Sequence, residues 1–132
     1  MKIAAVTDDE ITISQHFGRA AYYWVVTIEN GVITSEEKRE KMGHTHFSGE
    51  SHTENHSETR HGFDPAAQGR HARMLDAIQD CEVLLARGMG AGAYESIRQA
   101  GIIPVVTDVE TIDIAVQQYL AGILEDHVER LH

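Results

Sequence analysis

Along most of this chain, apolar residues fall in short blocks divided by polar turns. Lys2–Thr7 opens with an apolar run that closes on Asp8-Asp9-Glu10, which predicts a buried first strand followed by a loop. Residues 22–28 are apolar at both alternating sets of positions, Tyr22, Trp24, Val26 and Ile28 against Tyr23 and Val25. That pattern suits a strand covered on both faces. Asn30-Gly31 is a two-residue hairpin signal, so residues 32–36 form the return strand. Glu36-Glu37-Lys38-Arg39-Glu40-Lys41 then reads as a mixed-charge tail facing water at a sheet edge. Asp64-Pro65 supplies an N-cap and a first helical proline, and Met74, Leu75, Ile78 and Cys81 carry that helix to about residue 80. Residues 82–86 form a short buried strand, followed by the glycine-rich turn Arg87-Gly88-Met89-Gly90-Ala91-Gly92. Residues 93–100 form a helix stopped by Gly101, and residues 102–106 a fifth strand. Ile112, Ala115, Val116, Tyr119 and Leu120, with Ile123 and Leu124, mark a last amphipathic helix that has Gly122 near its end.

The order β-β-β-α-β-α-β-α predicts a single three-layer α/β domain around a five-stranded mixed sheet. The economical sheet has the first strand central, the hairpin on one side and the fourth and fifth strands on the other. The loops that leave strands one and four then lie side by side, at the carboxyl ends where open α/β sheets bind ligands.

Composition changes this picture in one place. Residues 42–64 hold five histidines and six Ser or Thr, with only Met42, Phe47 and Phe63 as apolar anchors. Such a stretch buries too little surface to offset its ordering entropy, so a flexible insert within the domain is expected. The total of 132 residues suits one domain, and the lone Cys81 excludes an internal disulfide. No apolar run approaches the roughly 20 residues needed to span a bilayer, and the chain reads directly into a strand with no signal-peptide pattern. A cytoplasmic location with no membrane partner is therefore expected. A formal charge of −10 repels polyanions and argues against nucleic acid as a ligand.

Four groups of residues could carry chemistry. Ser14-Gln15-His16-Phe17-Gly18-Arg19 sets an imidazole and a guanidinium three residues apart in the first loop, able to pair a metal ligand with a cation. Alternatively, His16 hydrogen-bonds its own loop and Arg19 pairs with Asp8 or Asp9. Gly88-Met89-Gly90-Ala91-Gly92 leads into a helix start, where exposed amides welcome an anion, or else its glycines answer only to sterics. His44, His46, His52, His56 and His61 could hold Zn²⁺, Ni²⁺ or Cu²⁺, or could belong to a solvated segment without purpose. Asp8-Asp9-Glu10 could hold two metals for phosphodiester hydrolysis. Cys81 and the aromatic residues 22–24 are read as packing.

Met1-Lys2-Ile3-Ala4 with Thr7-Asp8-Asp9, the Ser14-x-His16-Phe17-Gly18-Arg19 loop, Gly88-Met89-Gly90 and Tyr119-Leu120-Ala121-Gly122 resemble the dinitrogenase iron–molybdenum cofactor-binding family. That family includes the NifX and NafY carriers, the C-terminal region of NifB and the molybdenum–copper orange protein. The resemblance covers nearly the whole chain outside the histidine-rich insert. It departs at Val6, where the family has proline, and at Glu10, where glycine is common. The resemblance implies a ribonuclease H-like fold without catalytic activity. It also implies a carrier of an iron–molybdenum cofactor precursor or a related Mo/Fe/Cu–sulfur cluster, working with cluster donor and acceptor proteins. On this resemblance His16 is the cluster-proximal ligand, and the cofactor-binding set is His16, Phe17, Gly18, Arg19, Gly88, Met89 and Gly90. The charge of the chain fits this, since an anionic cluster needs local positive potential on an acidic body. Without several cysteines the cluster is not locked in by thiolates, which suits transfer. The rival reading is a histidine-rich divalent-metal-binding or sensing protein that uses the insert alone.

Overall fold

A computed structural model describes residues 1–41 and 74–131. The histidine-rich stretch, with His44, His46, His52, His56 and His61, and residues 65–73 of the expected first helix lie outside the described residues. The elements are β1 (Lys2–Thr7), β2 (Tyr22–Glu29), β3 (Val32–Glu40), β4 (Val83–Ala86), α1 (Ala91–Gln99), β5 (Ile103–Val106) and α2 (Ile112–Leu120). Short 3-10 turns at Asp76–Ile78 and Val128–Arg130 complete the elements named among the described residues.

The sheet order is β3-β2-β1-β4-β5, the arrangement expected from the element order. β1 is antiparallel to β2 and parallel to β4, while β4 is parallel to β5. Ile3 to Thr7 are all buried, as are Val83 to Ala86, because these two strands lie in the middle of the sheet. Their side chains join Tyr23, Val25, Ile78, Ile97 and Ile112 in one core. The phenol of Tyr23 donates to the Met74 carbonyl at 2.9 Å, which satisfies a fully buried hydroxyl.

Local sequence explains most element boundaries. Asn30 and Gly31 both take positive φ, 55° and 78°, as a two-residue hairpin turn matching the strand twist requires. Both helices end on a left-handed glycine. Gly101 N–H donates to the Arg98 carbonyl and Ile102 N–H to Ile97, while Gly122 N–H donates to Tyr119 and Ile123 N–H to Gln118. These paired bonds satisfy the last carbonyls and stop each helix. Ile123 and Leu124, expected on α2, therefore lie beyond it.

Three expectations are corrected. The return strand runs to Glu40 instead of stopping near residue 36, since its charged residues continue the ladder opposite Tyr22 to Val26. The described end of the first expected helix tightens into the 3-10 turn Asp76–Ile78, held where Arg39 Nη1 donates to the Ala77 carbonyl at 2.8 Å. α1 starts at Ala91 and not at residue 93, because glycine is tolerated in a first turn that lacks intrahelical N–H bonds.

Candidate functional site

The first turn is built by Asp9. Its carboxylate accepts the Ile11 and Thr12 amides at 2.9 and 2.7 Å and the Thr12 hydroxyl at 2.8 Å. These bonds pull the acid down to about 2. Asp8 accepts the Ala21 amide at 2.9 Å, and Glu10 pairs with Lys38 at 3.1 Å. The three adjacent carboxylates thus serve three separate partners and do not converge as a two-metal hydrolase needs. Among the described residues, no three His, Cys, Asp or Glu side chains gather into a metal site. Glu10 takes φ 70°, which is why glycine suits that position.

Beyond Asp9 the chain returns to the sheet, where Ser14 N–H donates to Val6 O at 2.8 Å. It then makes a tight turn in which the His16 carbonyl accepts the amides of Arg19 and Ala20, both at 3.1 Å. Ile13, Phe17 and Ala20 anchor this turn in the core, which leaves His16, Gly18 and Arg19 exposed. The burial of Phe17 means that its main chain, not its ring, can face a ligand. Met89 is buried in the same way.

The second turn, residues 87–90, is laced to the first. Arg87 N–H donates to Ser14 O at 2.9 Å, and Phe17 N–H donates to Gly88 O at 3.0 Å. A Cβ on Gly88 would overlap the Gln15 carbonyl oxygen, so glycine here is demanded by close backbone approach. Gly90 caps α1 without a side-chain bond, and the first-turn amides of α1 find no main-chain acceptor among the described residues. The two turns are therefore neighbours at the carboxyl ends of β1 and β4.

Charge is distributed unevenly around them. Lys2, Lys38, Arg39 and Arg130 each pair with a carboxylate. Among the described residues, Arg19, Lys41 and Arg87 enter no ion pair, and all three lie on or against the two turns. The alternative pairing of Arg19 with Asp8 or Asp9 does not form. Arg98, on α1, is likewise in no ion pair. Arg87 Nε is buried without a hydrogen-bond partner. Lys41, at the end of β3, is buried with its Nζ 4.8 Å from the centre of the Phe17 ring.

The sequence reading missed Arg87 and Lys41. Arg87 belongs to the glycine-rich turn, and the signal in sequence for it is a cation at the carboxyl end of a buried strand. Lys41 closes a run of charges that reads as a solvated edge, and only the packing reveals its burial. Cys81 precedes β4, at the opposite end of that strand from the turns, and burial pushes its thiol up to about 12. It supplies no thiolate to this site. A cleft of about 640 Å³ between Leu75, Gln79 and the end of α1 also lies at the amino ends of the strands. Its described lining carries Asp76 and no cation.

Residues 1–122 match the family described as dinitrogenase iron-molybdenum cofactor. The chain belongs to that family. A relative within the curated proteins is the uncharacterised MJ0580 of Methanocaldococcus jannaschii, 28% identical over 125 residues, which covers 95% of this chain and 90% of that protein. Two solved structures share the fold of this cofactor-family member. PH0822 has a TM-score of 0.66 and 22% identity, covering 98% of each chain. The apo orange protein of Desulfovibrio gigas has a TM-score of 0.64 and 23% identity, covering 96% of this chain and 92% of that one. The matched span includes both turns, and membership agrees with the resemblance carried by the His16 and Gly88 motifs.

Proposed function

We propose that the chain is a non-catalytic carrier that seats an anionic metal–sulfur cluster, an iron–molybdenum cofactor precursor or a related Mo/Fe/Cu–sulfur species, over the two joined turns. The observation that carries this reading is that Arg19, Arg87 and Lys41, all outside ion pairs among the described residues, sit on or against the two joined turns, one of which carries the exposed His16, on a chain of net charge −10. An anion is repelled by most of such a surface and attracted where cations outside ion pairs lie close together. His16 is the metal ligand. Arg19 and Arg87 face the sulfides, and the amides of residues 88–90 and the α1 start add partial positive charge. One imidazole with no thiolate makes a bond that exchanges readily, which suits hand-over between a donor and an acceptor protein.

The test is anaerobic reconstitution with tetrathiomolybdate, copper and iron, followed by metal analysis and visible absorption. His16→Ala is expected to abolish cluster uptake, whereas deletion of residues 44–61 leaves it largely intact. The opposite result, with uptake lost on the deletion and untouched by His16→Ala, would instead support a divalent-metal protein using His44, His46, His52, His56 and His61.

A further inference from the structure

Lys41 is a buried cation whose neighbours among the described residues do not account for its burial. It is 3% exposed. Its Nζ approaches Met74 Sδ at 3.1 Å and lies over the Phe17 ring. A thioether and an aromatic face are weak partners, and neither replaces the hydration that an ammonium loses on burial. A lysine stem that merely covers apolar surface carries its amine out to water, and this one does not. The acid whose field reaches it is Asp8, whose Oδ1 accepts the Ala21 amide. The backbone of Lys41 is tied to the same residue, its N–H donating to Ala21 O at 3.1 Å. Burial draws the amine down to about 8, so it still holds its proton at neutral pH.

The position of this charge is informative. The Phe17 ring is the inner side of the first turn, and the Phe17 amide is bonded to Gly88 of the second. His16, the next residue, is exposed. The ammonium therefore lies behind the turns on the protein side, where solvent and salt screen it less than they screen Arg19.

We propose that Lys41 is a fixed counter-charge for the anionic cargo, acting across the Phe17 ring as a positioning residue and not as a ligand. This rests on the carrier reading above. A unit charge about 10 Å from a cargo charge, at an effective dielectric constant near 20, changes affinity on the order of tenfold. Removing the charge while keeping the stem also removes the desolvation cost of the ammonium, so binding and stability should move in opposite directions.

The experiment titrates tetrathiomolybdate anaerobically into the full chain as wild type, Lys41→Met and Lys41→Gln, and records the thermal midpoint of each. Both variants are expected to bind about tenfold more weakly, while the midpoint of Lys41→Met holds or rises. Wild-type affinity in both variants overturns the inference alone, as does a loss of affinity that only follows a lowered midpoint. Absence of uptake by the wild-type chain overturns the carrier reading and this inference with it.

Discussion

Gly88 is the residue at which the two turns meet, and no side chain fits there because a Cβ would overlap the Gln15 carbonyl oxygen. Its own carbonyl accepts the Phe17 amide, so any shift of the second turn disturbs the first. Gly88→Ala is expected to cost about 1–3 kcal/mol, as overpacking a tight contact does, and to weaken tetrathiomolybdate uptake along with it. Gly18→Ala is the control, because nothing lies within 4 Å of a Cβ built there. Thermal unfolding of the two variants checks the comparison, and equal stability would remove the steric account of Gly88. His16 and Arg19 differ from Phe17 in the same turn by direction alone. The backbone turns the ring into the core and leaves the two polar side chains in water.

The two edges of the sheet show how elements that carry no chemistry are kept from pairing with other chains. β3 blunts its edge with Glu36, Glu37, Lys38 and Glu40, all exposed. β5 uses another device. Pro104 has no N–H to offer, the Val106 amide donates to Asp126 Oδ1 at 2.9 Å, and Val106 O accepts the His127 amide at 2.8 Å. The other oxygen of Asp126 accepts the Tyr94 hydroxyl at 2.9 Å, which ties this closing segment to α1. Asp126→Ala leaves the Val106 amide without its acceptor and uncovers the strand. A loss of about 1–3 kcal/mol is expected, with concentration-dependent association visible by light scattering. A variant with the same light scattering and the same stability as wild type would show that the segment is not what protects β5.

At the scale of the whole molecule, acid stability depends on carboxylates that work in the fold. Asp9 is held at about 2 by the amides and hydroxyl it accepts. Asp80 is held well below the ordinary carboxylate range, chiefly by the Arg39 guanidinium bonded to it at 2.6 and 3.0 Å. Both acids are stronger in the folded chain than unfolded. Their contributions are fully present above about pH 4 and are lost as the pH falls below it. The thermal midpoint is expected to drop through that window. Asp80→Asn should lie below wild type at neutral pH, and the gap should narrow steadily as the pH falls below about 4. A constant offset at every pH would contradict this.

The same scale shows how far the residues alone reach. Alternation, turn signals and the βαβ order were sufficient for five strands, their order and the placing of the two turns side by side, because a buried strand or a left-handed glycine leaves a local mark in sequence. The extension of β3 to Glu40 was not legible, since an edge strand with one wet face carries charges that look like a tail. Nor was the role of Asp9, whose hydrogen bonds are set by the path of the loop and not by residue type. Sequence by itself determined the sheet, the chain charge and the motif that places this protein in its family, all of which follow from local periodicity and residue identity. Only the tertiary structure decided which cations remain outside ion pairs and which side chains of the motif turn inward, because both depend on groups far apart in the chain competing for the same space and the same partners.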